Sequence, residues 1–340
     1  MNPNDAESTG PDTAASLPSR AGALDMSRFT FSAYRMTIEA VDPLHLPQHK
    51  GSALRGLFGN VFRKVVCPFK RQDCRNCLLK DKCIYAYVFE TIPPPDQPFL
   101  RHMTNAPHPF VFRPPAETRT IFQPGERLSF DLILMGRSEE YLPYYVHTFM
   151  VMGETGIGLR RGRFILKSIE SLDLAGTGRV IYTEADQYLM SPSGSLTWPD
   201  LLPDRPAPER CTVQFLTPVC LREKGRYLKD IPEFEVLFRS LLRRLVVLAL
   251  IHCGVDCSGL DFNGLCRAAN TISKISSSFE FKSWERYSSR WKCRHPMGGL
   301  IGSATFAGDL DPFWPYLLLG EQVHMGKNTS FGLGQYRLRP

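Results

Sequence analysis

Hydrophobic and polar residues alternate through residues 28–40, RFTFSAYRMTIEA, with the two-residue period of a half-buried strand. Between residues 49 and 66 the period changes, and apolar side chains recur at helical spacing on one stripe: Leu54, Leu57, Phe58, Val61 and Val65. The opposite face of this predicted helix carries small and basic residues: Ser52, Arg55, Gly56, Gly59 and Arg63. Because each glycine inside a helix costs about 1 kcal/mol relative to alanine, we expect another backbone or a ligand to approach this face closely.

The same periodicities predict the remaining elements. Strands are expected near residues 109–114, 127–136 and 161–172, with a helix near 141–153 between the last two. The order strand, helix, two strands, helix and strand is the split βαβ, or ferredoxin-like, pattern. It repeats after residue 210 as a strand from Cys211, a helix at 233–252, two strands within 277–310, a helix near 312–322 and a strand near 333–339.

We therefore predict an α+β fold of two tandem ferredoxin-like (RRM-like) domains, at residues 27–174 and 211–340, with a basic cleft between their sheets. Residues 175–210 are rich in Gly, Ser, Pro and Asp and are expected to form a linker with at most a short hairpin. Residues 1–26 are small and polar, lack the apolar core of a signal peptide, and are predicted to be a disordered tail.

The composition, 43% hydrophobic and 22% charged, is that of a globular protein. The net charge of +7 fits a polyanionic partner, but it also fits many enzymes with neutral substrates. The longest apolar run, LVVLALI at residues 245–251, is too short to span a bilayer. We expect a cytoplasmic protein with no membrane partner.

Four cysteines lie within seventeen residues of the first domain, with six, two and five residues between them: Cys67, Cys74, Cys77 and Cys83. Four thiolates at such spacings suit tetrahedral zinc, and the neighbouring lysines and arginines would offset the negative charge of the centre. An iron–sulfur cluster and four unligated thiols are the alternatives. Because four thiolates close the coordination sphere, the sequence predicts a structural zinc in an insertion of the first domain.

A second cluster, HLPQHKG, places His45, His49 and Lys50 on the loop that leads into the predicted helix. Two imidazoles and an ammonium at a helix N-terminus suit general acid–base chemistry on a phosphodiester. Two surface histidines on a loop is the alternative interpretation. His324, which lies just before a glycine-rich segment, is a further candidate.

The glycine-rich loop, residues 326–334, lacks the spacing of a phosphate-binding P-loop and lies between a helix and a strand. Its residues could still present backbone N–H groups and polar side chains to an anion: Gly326, Lys327, Asn328, Gly332 and Gly334. A plain turn with a glycine bulge is the alternative.

Residues 279–294, FEFKSWERYSSRWKCR, interleave aromatic residues with Lys282, Arg286 and Arg290. Aromatic platforms that alternate with cations suit single-stranded RNA, although an amphipathic strand could carry the same residues. A short basic patch at residues 159–164 adds Arg160, Arg161 and Arg163.

Several of these segments together resemble a known family. Residues 298–338, from GGLIGSATFAG to MGKNTSFGLGQYRL, are similar to the C-terminal signature of the CRISPR-associated pre-crRNA-processing endoribonucleases of the RAMP superfamily. LPQHKGSALRGLFGNVF, followed by four cysteines and IYAYVFET, resembles the N-terminal half of one branch, and GETGIGLRRGRFILKSIE resembles the end of its first domain. The resemblance covers most of residues 28–340.

The resemblance implies metal-independent cleavage of CRISPR repeat RNA, in which the 2′-hydroxyl attacks the adjacent phosphate and leaves 2′,3′-cyclic phosphate and 5′-hydroxyl ends. Family members draw catalytic groups from around the first helix, which points here to His49, then His45, with Lys50 or Arg55 as electrostatic helper and Tyr34 on the preceding strand. The expected RNA-binding residues are Arg55, Arg63, Arg160, Arg161, Arg163, Lys282, Arg286, Arg290, His324, Gly326, Lys327, Asn328, Gly332 and Gly334.

The expected partners are the repeat RNA, the processed guide RNA and a CRISPR effector complex. A non-catalytic RNA-binding subunit of such a complex, built on the same repeated fold, is the alternative function. A zinc-stabilised structural protein is a third, against which the basic, aromatic-rich strands argue. We also expect the glycine-rich loop to contact RNA or the first domain, with Gly56 and Gly59 marking the close approach.

Overall fold

The computed structural model describes residues 26–69, 73–91, 93, 103, 106–202, 206–223, 226–288 and 293–340. The predicted tail, except for its last residue, and Arg290 lie outside the described residues. Met26, which the sequence assigned to the tail, is 1% exposed and packs in a hydrophobic core. No helix in the described part of the chain is long and apolar enough to cross a membrane.

The N-terminal domain has the predicted order of main elements with short strands added between them. Its strands and helices are β1 (Thr30–Ala40), β2 (Leu44–His45), α1 (Gly51–Val66), β3 (Phe110–Arg113), β4 (Ile121–Phe122), β5 (Arg127–Met135), α2 (Leu142–Thr155), β6 (Phe164–Leu172), β7 (Gly178–Thr183) and β8 (Leu196–Thr197). The sheet order is β3-β5-β1-β6-β7, with antiparallel neighbours, and β8 pairs with β1. The apolar stripe of α1 turns Leu54, Phe58 and Val61 into the core beneath this sheet.

The C-terminal domain repeats the pattern. It contains β9 (Arg210–Val219), β10 (Arg222–Glu223), β11 (Arg226–Tyr227), α3 (Phe234–His252), α4 (Phe262–Ala268), β12 (Ser273–Ser288), β13 (Cys293–Ala307), α5 (Trp314–Val323) and β14 (Tyr336–Arg339). Its sheet order, β12-β13-β9-β14, is again antiparallel throughout. The long hairpin of β12 and β13 brings Trp284 and Arg286 to the N-terminal domain.

The prediction that residues 175–210 form a linker is wrong over much of this range, which contains β7 and β8. β7 extends the first sheet beside β6, and β8 pairs with β1. Ile181 and Tyr182 of β7 are buried in the first core, which holds this strand against the sheet although its first three residues are exposed. The first domain therefore continues through β8.

The two domains share one hydrophobic cluster. On β1, Phe31 and Ala33 face away from α1 and α2 and pack in the cluster that contains α3 and α5, whereas Arg35, two residues further along the same face, lines a cavity. One end of the first sheet is thus covered by the second domain, and the polar end remains open. The predicted cleft between the two sheets therefore begins where this face of β1 changes from apolar to polar residues, at Arg35.

Candidate active site between the two domains

His49 lies at the junction of the two domains. Its Nε2 atom is 2.8 Å from the main-chain oxygen of Phe331, in the glycine-rich loop, and its ring centroid is 5.1 Å from that of Trp284. Because a carbonyl oxygen only accepts, Nε2 carries the hydrogen, and in the neutral ring Nδ1 is left as the acceptor. Burial lowers the pKa of His49 below the usual histidine value. The ring is therefore neutral at physiological pH and able to take up a proton at Nδ1.

His49 lines a cavity of about 1100 Å³ between the two sheets, the interdomain cavity. The first domain contributes Arg35 and Asp131, which form an ion pair with 3.0 Å between Nε and Oδ1. The second domain contributes an apolar and aromatic wall that includes Phe281, which is 53% exposed. A cavity with cations, a neutral histidine and a free aromatic face suits a nucleotide with its phosphate.

His45 does not share this cavity with His49. It lines a second one of about 1270 Å³ that runs along the outer face of α1, the helix groove. The two cavities meet at three residues that border both: Pro47, Trp284 and Glu285. The expectation that the two histidines act as a pair on one phosphate therefore has no support in their positions.

The helix groove is rich in positive charge. Its cationic lining residues are Arg63, Lys64, Arg161 and Arg286, and Glu285 is the acidic residue among the lining residues. An ideal Cβ built on Gly56 meets nothing within 4 Å, so this glycine leaves the groove open. Gly59 instead packs beneath the ring of Phe89. The groove includes three of the five residues that the sequence predicted on the small, basic face of this helix: Ser52, Gly56 and Arg63.

Lys50 and Tyr34 are buried, which contradicts their assignment to the catalytic group. Lys50 has no exposed surface, and its Nζ donates a 2.7 Å hydrogen bond to the oxygen of Glu117, in the segment before β4. Tyr34 is 1% exposed in the core of the first domain, and burial raises its pKa to about 12. The alternation along β1 turns Tyr34 towards the helices and away from the interdomain cavity.

The glycine-rich loop docks on the first domain as expected, but the helix residue that it approaches is Gly51, and neither Gly56 nor Gly59. A Cβ on Gly51, the first residue of α1, would lie closer than 3.0 Å to the oxygen of Phe331. A Cβ on Gly332, at a φ of +86°, would overlap Pro114 and lie 2.7 Å from the oxygen of Phe112. Gly51 and Gly332 are therefore the positions of close approach, in place of Gly56 and Gly59.

The loop does not form the expected open site for an anion. Main-chain carbonyls already accept from four of its N–H groups: Lys327 to Cys220, Phe331 to Asn328, Gly332 to Thr329 and Gly334 to Pro218. Gly326 and Gly334 have φ values of +83° and +73° and pack against the main chain of Cys220 and Met325. Lys327 and Asn328 are the exposed residues at its start. The loop is thus a docked turn.

Phe331 was not singled out by the sequence, yet it joins both domains. Two guanidinium groups lie over its ring, with the Cζ of Arg55 at 4.9 Å from the ring centroid and that of Arg286 at 4.6 Å. Arg55 also donates from Nη2 to Nε2 of His108, at 3.2 Å. Arg55 is therefore part of the domain contact, and an aromatic residue between glycines was the sequence feature that could have drawn attention to Phe331.

The remaining predicted RNA contacts divide by exposure. His324 is fully buried and donates from Nδ1 to the oxygen of Leu333, which contradicts a role in RNA contact. Arg160 and Arg161 are exposed, whereas Arg163 pairs with Asp42 at 2.7 Å. Lys282 lines the interdomain cavity and pairs with Glu280 at 2.8 Å.

The four cysteines are reduced and half-buried. Cys74 opens a short turn that Asp73 caps, and it lies within electrostatic range of Cys67 and Cys83. The Arg63 side chain hydrogen-bonds to Cys67. Among the described residues, no three ligating side chains converge closely enough to hold a metal ion. The zinc therefore stays a prediction.

Two family models match the chain. The model for the CRISPR-associated endoribonuclease Cas6 matches residues 213–336, and the model AF_1859_N, an N-terminal domain, matches residues 29–193. An uncharacterized protein of Archaeoglobus fulgidus is 26% identical over 297 residues, which cover 87% of this chain and 93% of that protein.

Solved structures share the fold. A Cas6 product complex has a TM-score of 0.54 and 15% identity, covering 91% of this chain and 100% of that one. A Thermus thermophilus Cas6 has a TM-score of 0.50 and 17% identity, with 92% and 99% coverage. A chain of a partial Cas6-RT-Cas1–Cas2 complex has a TM-score of 0.54 and 12% identity, with 93% and 47% coverage. Residues 213–336 of this chain thus match the CRISPR-associated endoribonuclease Cas6 family, and the chain shares its fold with these solved Cas6 structures.

Proposed function

We propose that the protein cleaves CRISPR repeat RNA without a metal ion, by attack of a 2′-hydroxyl on the adjacent phosphate. The observation that carries this proposal is the position of His49 in the interdomain cavity, neutral and with Nδ1 left to accept a proton. In the step, the 2′-oxygen bonds to phosphorus and its proton passes to His49, while the bond from phosphorus to the 5′-oxygen breaks. The leaving oxygen takes a proton from water, and the hydroxide that remains takes the proton back from His49, so that the ends are a 2′,3′-cyclic phosphate and a 5′-hydroxyl and the histidine is neutral again.

Cations in the interdomain cavity support the same chemistry. Negative charge develops on the phosphate as the 2′-oxygen attacks, and fixed positive groups stabilise it. Arg35 and Lys282 line the cavity with His49. The Lys282 side chain is 54% exposed in its ion pair with Glu280. Because exposed ion pairs contribute about 0–1 kcal/mol, Lys282 is free to exchange Glu280 for a phosphate.

The helix groove gives the RNA strand a path away from His49. Its basic residues fit phosphates, and Trp284 lies where the groove and the interdomain cavity meet. A base stacked on an aromatic ring contributes about 1–3 kcal/mol to binding, whichever base it is. We infer that the strand crosses Trp284 and lies along α1, so that His45 contacts RNA remote from the cleaved bond.

Binding without cleavage is the alternative, and it takes account of the fact that His45 and His49 line different cavities and do not form an acid–base pair with each other. In this reading the protein holds guide RNA for a CRISPR effector complex. Under both hypotheses, the protein would keep the guide RNA bound and pass it to such a complex.

The test is cleavage of end-labelled repeat RNA in EDTA, at saturating protein, with folding followed in the same samples. His49→Ala should lower the rate constant by about 10²–10⁴-fold with RNA affinity retained, because it removes the general base. His45→Ala should weaken binding and leave the rate at saturation unchanged. If the wild type binds the RNA tightly but does not cleave it, the protein is a non-catalytic RNA-binding subunit. If His49→Ala keeps full activity, a residue other than His49 is the general base.

We also propose a structural zinc at Cys67, Cys74, Cys77 and Cys83. The spacing of the four cysteines supports it, as does the Arg63 side chain, which hydrogen-bonds to Cys67. Four thiolates leave no open coordination position, so such a zinc would stabilise the insertion and take no part in cleavage.

A further inference from the structure

The main-chain oxygen of Phe331 is held in a tight position at the start of α1. It accepts the hydrogen of His49 Nε2 at 2.8 Å and lies against the Cα of Gly51, where a side chain would collide with it. The first turn of a helix carries a partial positive charge, which favours an oxygen there. The absence of a side chain at Gly51 therefore lets the carbonyl reach both the helix and the histidine.

The rest of Phe331 is fixed from two sides. Its N–H donates to the oxygen of Asn328 at 3.0 Å, and the next N–H donates to the oxygen of Thr329 at 2.8 Å. The ring contacts the guanidinium groups of Arg55 from the first domain and Arg286 from the second. Cation–π contacts of this kind contribute about 0.5–2 kcal/mol each. The carbonyl therefore has little freedom to turn away from His49.

We propose that Phe331 is the positioning residue of the site, whose main-chain carbonyl fixes His49 as the Nε2–H tautomer. The proposal rests on the function proposed above. A base that acts through Nδ1 must have its hydrogen on Nε2, and a carbonyl that only accepts enforces this state. When Nδ1 takes the 2′-hydroxyl proton, the Nε2–H bond to Phe331 remains and stabilises the imidazolium. This is the orienting role that the third group plays in catalytic triads.

Gly51→Ala is the direct perturbation, because the added methyl group displaces the Phe331 oxygen from His49. We expect cleavage at saturating RNA to slow by about tenfold or more with RNA affinity retained. Since the carbonyl bond raises the pKa of His49, the acidic limb of the pH–rate profile should also move to lower pH. Gly259→Ala is the matched control, because its Cβ meets nothing within 4 Å and it lies outside the site.

The tautomer itself is read from two-bond ¹H–¹⁵N correlation spectra of protein labelled with ¹⁵N-histidine. The wild type should show His49 with hydrogen on Nε2, and Gly51→Ala should show a mixture of tautomers. Should Gly51→Ala fail to fold, Phe331→Leu, which keeps the carbonyl but removes the ring contacts, should give a smaller change in the same direction.

The outcomes separate the two proposals. Hydrogen on Nδ1 of wild-type His49, or unchanged tautomer and rate in both folded variants, would overturn the positioning role. A wild type that shows the Nε2–H tautomer, loses it in Gly51→Ala and cleaves no RNA would support the positioning of the ring and refute the proposed catalysis.

Discussion

A single methyl group at Gly332 should disrupt the docking of the glycine-rich loop on the first domain. Gly332 has a φ of +86°, and its Cβ would overlap Pro114 and lie 2.7 Å from the oxygen of Phe112. Both neighbours belong to the segment around β3, on the other domain. Gly332→Ala therefore combines backbone strain with a collision across the interface.

Gly125 separates these two effects. Its φ is +85°, nearly the same, but a Cβ there meets nothing within 4 Å. The left-handed conformation costs an alanine about 1–2 kcal/mol, which is the whole loss expected for Gly125→Ala. Overpacking against main-chain and proline atoms adds about 1–3 kcal/mol. Gly332→Ala should therefore lose about 2–5 kcal/mol, and the difference between the two variants measures the docking.

The assay is urea unfolding of both variants and the wild type, followed by far-ultraviolet circular dichroism and by tryptophan fluorescence. All four tryptophans follow residue 190, so fluorescence reports mainly on the second domain and its contacts. Gly332→Ala should unfold at a clearly lower urea concentration than Gly125→Ala by both probes. Equal midpoints for the two variants would refute the close approach of Gly332 to β3.

Three further predictions concern a buried histidine, the helix groove and the cysteines. Burial lowers the pKa of His252 from 6.5 to about 4, so between these pH values only the unfolded chain binds a proton at this residue. The free energy of unfolding should therefore fall by up to about 3 kcal/mol as the pH drops from 6.5 to 4. In His252→Gln the midpoint of urea unfolding should depend less on pH over the same range. Lys64→Ala and Arg161→Ala should each reduce by about one the slope of log RNA affinity against log salt concentration, and the cleavage rate at saturating protein should not change. Unaltered slopes would show that the RNA does not bind in the helix groove. Elemental analysis of the purified wild type should find about one zinc per chain, and Cys74→Ser should contain none. A wild type without metal would exclude the proposed zinc site.

The order of the long elements could be predicted because their periodicity is local. The β-α-β-β-α-β order of both domains is present, and Leu54, Phe58 and Val61 form the buried stripe of α1 as expected. The short strands β7 and β8 escaped prediction because their pairing with β6 and β1 depends on distant residues. Local pattern thus identifies an element when the element carries its own apolar face, and β8, with two half-buried residues, does not.

The site could be predicted only in part, for the same reason. His49 and the basic face of α1 are local features, and both line cavities at the domain junction. Lys50 and Tyr34 have suitable chemistry, but the direction of each side chain depends on the fold, and both are buried. The oxygen that holds His49 lies 282 residues away in the chain, at a position defined by its backbone and not by its side chain.

The division of the site between domains has a mechanical consequence. His49 belongs to the first domain, and the carbonyl that holds it belongs to the second. The ring of that same residue, Phe331, contacts one arginine from each domain. A rotation of one domain against the other would therefore break the His49 hydrogen bond. Under the proposed mechanism, catalysis at His49 depends on docking of the glycine-rich loop, which acts on the histidine through backbone geometry at Gly51 and Gly332.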